Sequence, residues 1–207
     1  MYNVGRNNFY DNQKNATIYT PAPVATFLYD LLRHNISVDK VVLDPCVGAG
    51  ALLWPFKKNG YKTIGIDIEQ QGFPNTRTTN FLSVENGEIQ TPGLVIANPP
   101  FNIDAKTKEL ARNISGARPL LPEVWLKKII ELWGKDVPIC LFTPYGLRLN
   151  QTIMSKRWRA FCDGHYPQIS SIVALPKDIY DNVLFHSEVL IFNIDGLKPH
   201  YFYDGKL

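Results

Sequence analysis

The sequence predicts an α/β fold: a single domain with a mainly parallel sheet of about seven strands and helices on both faces. Short apolar runs typical of buried strands alternate along the chain with segments whose apolar residues recur at helical spacing. The strand runs are almost continuously apolar, as in parallel sheets that are covered on both faces. No internal repeat, long linker or change of composition divides the chain, so we expect one domain.

Length and composition are those of an ordinary globular domain. The chain has 207 residues, of which 45% are hydrophobic and 20% charged, and this length allows a sizeable core. No apolar stretch approaches the roughly 18 residues of a membrane span. The N-terminus also lacks the apolar segment of a signal peptide, so we expect a cytoplasmic protein. The formal net charge of +3 permits a nucleic-acid partner without requiring one.

Cysteine and histidine spacing gives no indication of a metal site. The three cysteines are scattered and are interpreted as reduced thiols, and the four histidines lack the spacing of metal ligands. We therefore predict that the protein binds no metal.

The first half of the chain is predicted to contain an arm, two helices and three strands. Residues 1–18 are polar and rich in asparagine, which indicates an arm ahead of a domain over 19–207. Thr20 and Pro21 are typical N-cap and first-turn residues, and the apolar spacing after them predicts a helix to about residue 34. Apolar runs then predict strands at 41–44, 63–68 and 94–97, with a glycine turn and a helix after the first.

The second half is predicted to begin with a loop over residues 102–118. Apolar residues at helical spacing then predict a helix over 122–133, which Gly134 ends. The remaining predicted elements are a strand at 137–143, a helix at 151–162 and strands at 169–175 and 188–195.

A glycine-containing loop connects the first strand to the second helix. Its residues are Asp44, Pro45, Cys46, Val47, Gly48, Ala49 and Gly50. The glycines allow a tight turn and close approach of a ligand. Leu53 occupies a position where dinucleotide-binding loops need Gly or Ala, and Asp44 would repel a pyrophosphate. Asp67 ends the next strand, where a carboxylate can bind both hydroxyls of a ribose. The loop therefore favours a cationic or zwitterionic nucleoside, and S-adenosylmethionine has this chemistry.

A second motif, Asn98-Pro99-Pro100-Phe101, follows the strand at 94–97. Asn98 offers a side-chain oxygen, and the prolines offer carbonyls on a backbone with fixed φ and no N–H. Phe101 offers a flat apolar face. A planar aromatic amine could stack on that face while two oxygens accept its N–H bonds. The motif therefore predicts a site for alkylating an exocyclic amino group.

Together these motifs resemble those of the class I S-adenosylmethionine-dependent methyltransferases, specifically the N6-adenine methyltransferases of DNA, over residues 19–195. Tyr19-Thr20-Pro21 is similar to the N-terminal motif of the family. Asn80-Phe81-Leu82 stands where the family usually has Asp-Phe-Leu, whose acid contacts the adenine amine of the cofactor. The resemblance implies a Rossmann-like domain and these cofactor-binding residues: Tyr19, Thr20, Asp44, Pro45, Cys46, Gly48, Gly50, Asp67, Ile68, Asn80, Phe81 and Asn98.

The resemblance also implies a catalytic site and a reaction. The catalytic residues would be Asn98, Pro99, Pro100 and Phe101, with Phe185 packed against a flipped target base. We expect direct SN2 transfer of a methyl group to N6, with the N–H bonds of adenine accepted by the Asn98 side chain and the Pro99 carbonyl. An amide is too weak to abstract a proton, so the proton is expected to pass to water afterwards.

Two basic segments are candidates for contact with the nucleic-acid backbone, 102–118 and 145–160. Their candidate residues are Lys106, Lys108, Arg112, Arg157 and Arg159. Changing Arg157 and Arg159 to Ser is predicted to weaken nucleic-acid binding and to flatten its salt dependence.

The order of motifs, with the cofactor half first, resembles the gamma arrangement, in which a target-recognition domain normally follows. The sequence ends at Leu207, so we expect either a separate recognition subunit or a permissive enzyme, in a DNA-methylation or restriction-modification setting. DNA is favoured over RNA as partner. Two alternatives stay open: methylation of an RNA base amine or a protein glutamine, and a non-catalytic subunit that binds nucleic acid or a partner enzyme.

Overall fold

The computed structural model describes residues 19–100, 103–116, 120–180 and 184–205. The arm predicted at 1–18 lies outside these residues. The described residues contain eight strands in one sheet, of order β3-β2-β1-β4-β5-β7-β6-β8. The strands are β1 (Val41–Asp44), β2 (Lys62–Asp67), β3 (Thr76–Thr78), β4 (Leu94–Ala97), β5 (Ile139–Pro144), β6 (Ile169–Ala174), β7 (Ser187–Phe192) and β8 (His200–Phe202).

The sheet is mainly parallel, as the sequence predicts. Strands β1 to β5 pair in parallel, β7 is antiparallel to both β5 and β6, and β6 pairs in parallel with β8. The count is eight strands rather than about seven. Strands β3 and β8 were not predicted, because three residues are too few to show an alternating pattern.

Helices cover both faces of the sheet. They are α1 (Ala22–Leu32), α2 (Trp54–Lys58), α3 (Ala105–Ser115), α4 (Leu121–Trp133) and α5 (Lys156–Cys162). Within β4, Leu94 and Ile96 pack toward α1 and α2, whereas Val95 and Ala97 pack toward α3 and α4. Both sides of this strand are fully buried, which explains its unbroken apolar sequence. None of the helices in the described ranges is long and apolar enough to cross a membrane.

The loop predicted at 102–118 is wrong for residues 105–115, which form helix α3. Asp104 caps the helix by accepting the Thr107 backbone N–H at 2.9 Å. Its inner face consists of Thr107, Leu110, Ala111 and Ile114. This spacing is helical, but only two of the four side chains are large and apolar, so the pattern is weak in the sequence.

Several predicted element ends are also corrected by local hydrogen bonds and backbone angles. Helix α1 begins at Ala22, with no side-chain cap at its N-terminus. Helix α5 begins at Lys156 rather than 151, because Ser155 accepts the Trp158 N–H. Strand β7 ends at Phe192 rather than 195, because Asn193 has φ 57°, which an extended strand cannot accommodate.

Chain order reverses between the neighbouring strands β1 and β4. Strands β2 and β3 follow on one side, and β5 follows β4 on the other. Ligands of open α/β sheets bind at the carboxyl ends of strands at such a point. Asp44 ends β1 and Asn98 follows β4, so both predicted motifs lie at this edge.

Candidate active site

A cleft of about 480 Å³ opens at the carboxyl ends of β1, β2 and β4. The structure brings eleven of the twelve predicted cofactor residues together in its walls. They are Tyr19, Thr20, Asp44, Pro45, Cys46, Gly48, Asp67, Ile68, Asn80, Phe81 and Asn98. Their part in binding a cofactor stays a prediction, which the geometry below supports.

Gly50 is the predicted cofactor residue that does not line this cleft. Its φ is +86°, and a Cβ atom placed on it would lie 2.2 Å from Cδ2 of Phe73. The turn therefore needs glycine here for backbone conformation and packing. The structure gives Gly50 a role in the conformation of the loop, and its contact with a cofactor stays a prediction.

The carboxylate of Asp67 is fixed at the end of β2 by two backbone donors. The Gly48 N–H donates to its Oδ2 at 2.7 Å, and the Glu69 N–H donates to its Oδ1 at 3.1 Å. Each carboxylate oxygen has a second lone pair, so the group can still accept hydroxyl donors from the cleft. This arrangement suits the two hydroxyls of a ribose.

Asp44 is 2% exposed and accepts the Cys46 N–H at 2.9 Å. Burial raises the pKa of its carboxyl to about 7, and the negative charge of Asp67 adds to this rise. A cation in the cleft would oppose both effects and favour the ionised carboxyl. The position therefore favours a positively charged ligand group, and it would repel a phosphate.

Asn98 lies where the cleft meets a second pocket. Its Nδ2 donates to Thr20 Oγ1 at 3.1 Å, which directs the amide nitrogen to Thr20 and leaves Oδ1 as the acceptor. Thr20 was predicted as a helix cap, and it contacts Asn98 instead. The second pocket measures about 190 Å³ and includes Pro99, Pro100 and Phe185. Both cavities share Asn98 and Pro100.

The second pocket is mostly apolar. Phe185 lines it, and its backbone N–H donates to the Lys177 carbonyl at 2.7 Å. Tyr180 is a lining residue that sequence reasoning missed. Burial raises the pKa of its hydroxyl to about 12, although hydrogen bonds with Ser187 and Asn98 act to lower it. The Tyr180 hydroxyl, which lines the pocket, is therefore neutral at neutral pH. Phe101, the fourth residue of the motif, lies outside the described residues.

The predicted basic residues fall into two groups. Lys106, Lys108 and Arg112 are exposed on α3, and Arg159 is exposed on α5. Arg157 is different, because it donates to Glu123 Oε2 at 2.9 Å from Nε and at 2.6 Å from Nη2. Its guanidinium therefore holds α5 to α4, and we revise its predicted phosphate contact to a structural role.

Further lining residues of the cleft come from α3 and α4. They include Asp104, Thr107 and Trp125. The helical spacing of α3 is weak in the sequence, so the contribution of Thr107 to the cleft is not predicted from it. In the described part of the chain, no group of three or more His, Cys, Asp or Glu side chains could hold a metal ion.

No family model and no curated protein sequence matches the chain. Its fold is similar to a modification subunit of a putative type I restriction enzyme from Vibrio vulnificus. The TM-score is 0.66 and the identity 15%, over 94% of this chain and 48% of that one. It is also similar to a putative class I S-adenosylmethionine-dependent methyltransferase from Listeria monocytogenes, with TM-score 0.65 and 13% identity over 94% of this chain and 68% of that one.

A third similar structure is the type I restriction-modification methyltransferase subunit from Streptococcus thermophilus. The TM-score is 0.63 and the identity 18%, over 89% of this chain and 47% of that one. The chain thus spans about half the length of the two restriction-system subunits. At such low identity the likeness concerns the fold, and the fold is that of class I S-adenosylmethionine-dependent methyltransferases.

Proposed function

We propose that the protein is an S-adenosylmethionine-dependent methyltransferase that transfers a methyl group to N6 of adenine in DNA. One observation carries the proposal: Asn98 and Pro100 belong both to the 480 Å³ cleft and to the 190 Å³ pocket beside it. Direct transfer of a group between two bound ligands needs two adjoining sites. The two cavities provide them.

The residues of the cleft fit the proposed cofactor. Asp67 offers carboxylate lone pairs to ribose hydroxyls, and Asp44 offers a buried negative charge to a cationic group. Gly48 has φ +49°, a conformation that residues with a side chain rarely adopt, so glycine suits this turn in the wall of the cleft. When bound, S-adenosylmethionine supplies an electrophilic methyl group on a sulfonium sulfur.

The junction residues act on the amine of the acceptor. The Oδ1 atom of Asn98 and the carbonyl of Pro99 accept the two N–H bonds, which favours a pyramidal nitrogen with a localised lone pair. Fixed acceptors of this kind stabilise the positive charge that develops on nitrogen during attack. Thr20 keeps the Asn98 amide in the required orientation. Water then takes the proton, since an amide is too weak a base.

An apolar pocket with an aromatic wall supports a nucleobase as acceptor. Stacking of a base on an aromatic ring is worth roughly 1–3 kcal/mol, and a base in a duplex must leave the helix to reach such a pocket. The exposed cations Lys106, Lys108 and Arg112 follow the catalytic motif on α3, where they could contact the flanking backbone. The names of two similar structures refer to restriction systems, which favours DNA.

Recognition of a target sequence forms a further part of the proposal. Two of the similar structures are named as subunits of restriction systems, and on this likeness we propose that a separate protein supplies sequence recognition. A permissive enzyme would instead methylate adenine in many sequence contexts. Methylation of defined DNA duplexes that differ around one adenine separates these two arrangements.

The proposal is tested by offering equal amounts of DNA, RNA and a glutamine-containing protein with methyl-labelled cofactor. We expect label in DNA. Label in RNA or protein alone would contradict the proposed acceptor, and cofactor binding without any transfer would indicate a non-catalytic subunit. Asn98→Ala should retain cofactor binding and lose at least about 100-fold in transfer rate.

A further inference from the structure

A chain of hydrogen bonds connects the wall of the cleft to the start of α3. Asn80 donates from Nδ2 to Thr107 Oγ1 at 2.6 Å, and the Thr107 hydroxyl donates to Asp104 Oδ2 at 2.7 Å. Asp104 also accepts the Thr107 backbone N–H at 2.9 Å. Thr107 is 4% exposed, so the middle of this chain is closed to water. All three residues line the cleft.

The direction of these bonds fixes the orientation of the Asn80 amide. Hydrogen bonds from the Thr107 backbone N–H and hydroxyl lower the pKa of Asp104, so its carboxylate only accepts at neutral pH. Thr107 must therefore give its single proton to Asp104 and accept one from Asn80. The Nδ2 atom of Asn80 therefore faces Thr107, and its Oδ1 atom faces away from Thr107.

The Oδ1 atom of Asn80 retains one free acceptor position. It accepts the Leu82 backbone N–H at 3.0 Å, and a carbonyl oxygen has two lone pairs. Because Asn80 lines the cleft, the second lone pair is available to a donor bound there. An adenine amine is such a donor, whereas a keto oxygen at the same position would be repelled.

We propose that Thr107 and Asp104 are positioning residues for recognition of the cofactor's adenine amine, acting through Asn80. The inference rests on the proposed cofactor. It assigns the negative charge to Asp104, which Asn80 and Thr107 separate from the ligand, and gives the contact itself to a neutral amide. It also links cofactor recognition to the first turn of α3, close after Asn98-Pro99-Pro100 in the chain.

This arrangement makes the effect of an acid at position 80 unusual. Asn80→Asp would leave Thr107 with one proton between two carboxylates, so one short oxygen–oxygen contact would be repulsive. Adding Asp104→Asn exchanges the amide and the carboxylate between positions 80 and 104. The Thr107 hydroxyl then again has one partner that donates to it and one that accepts from it. Asn caps a helix about as well as Asp, so α3 keeps its N-cap. The double variant should therefore bind better than Asn80→Asp alone.

The test is titration calorimetry with two ligands, S-adenosylmethionine and the analogue that carries hydrogen in place of the 6-amino group. Thr107→Val should weaken binding of the cofactor about five- to tenfold and binding of the analogue much less. Thr107→Ser, which keeps the hydroxyl, should bind both ligands like the unchanged protein. Asn80→Asp should bind the cofactor worst, and Asn80→Asp with Asp104→Asn should recover most of the loss. Urea unfolding of each variant identifies any that does not fold.

Different results would overturn different parts of the argument. The positioning role would be overturned if Thr107→Val weakened binding of both ligands equally. It would also be overturned if Thr107→Ser weakened cofactor binding as much as Thr107→Val does. A double variant no better than Asn80→Asp would overturn the assigned direction of the bonds, and this comparison remains decisive if Thr107→Val does not fold. Failure of the unchanged protein to bind S-adenosylmethionine would contradict the proposed function itself.

Discussion

Replacing Arg157 by Ser should destabilise the fold rather than remove a nucleic-acid contact. The Glu123 side chain is 9% exposed and that of Arg157 is 19% exposed, with Nη2 and Oε2 2.6 Å apart. Removing one partner of such a buried pair costs about 3–5 kcal/mol, since the other charge stays buried without compensation. Tyr166 still donates to Glu123 Oε1 at 2.7 Å, and Lys127 lies 3.9 Å away. We therefore expect Arg157→Ser to lower the free energy of unfolding by about 3 kcal/mol, the lower end of that range.

The pH dependence of this loss follows from the pKa of Glu123. Burial acts to raise this pKa, but hydrogen bonds from Arg157 and Tyr166 outweigh it and hold the pKa below its usual value. A depressed carboxyl pKa stabilises the fold above the unfolded pKa of about 4.3, and this contribution is lost as the pH falls through the folded pKa. The difference in unfolding free energy between the unchanged protein and Arg157→Ser should therefore narrow below about pH 4.

Urea unfolding measures the stability loss, and nucleic-acid binding at several salt concentrations measures any backbone contact. Arg159→Ser is the matched control, because Arg159 is exposed on the same helix. This substitution should lower the free energy of unfolding by less than about 0.5 kcal/mol. A phosphate contact of Arg159 would show as a decrease of about one in the slope of log affinity against log salt concentration. A loss below about 1 kcal/mol for Arg157→Ser, together with a flatter salt slope, would refute the structural role.

Three further predictions concern the cleft and its support. Cofactor affinity should rise about tenfold from pH 6 to pH 8, because Asp44 ionises with a pKa of about 7 and its carboxylate binds a cation. Titration calorimetry of Asp44→Asn should show binding that is weaker and independent of pH. Gly50→Ala should lower the unfolding free energy by about 2–4 kcal/mol through the contact with Phe73 and the positive φ, and a change under about 1 kcal/mol in urea would contradict this. Thr20→Val should slow methyl transfer at saturating cofactor about tenfold, whereas Thr20→Ser should not, because the Thr20 hydroxyl orients the Asn98 amide.

The parts of the fold and site that sequence predicts are those set by neighbouring residues. The continuous apolar run of β4, followed at once by Asn98, identifies a buried strand with a polar group at its carboxyl end. Asp44 and Asp67 are recognisable in the same way, since each ends an apolar strand. Parallel pairing then brings these three strand ends to one edge of the sheet.

The parts that sequence does not predict depend on residues that are distant in the chain. Thr20 precedes a helix and looks like its cap, but its partner is Asn98, 78 residues away. Arg157 looks like one of a run of surface cations, but Glu123 binds it across 34 residues. Helix α3 was missed because Thr107 and Ala111 form much of its buried face. In each case the decisive contact is tertiary, and local pattern carries no information about it.

The most direct test of the proposed activity is analysis of the nucleosides of DNA that has been incubated with the protein and methyl-labelled S-adenosylmethionine. We expect the label in N6-methyladenine, and none with Asn98→Ala, although that variant still binds the cofactor. Label on cytosine, on another atom of adenine, or in the protein instead of DNA would contradict the central claim.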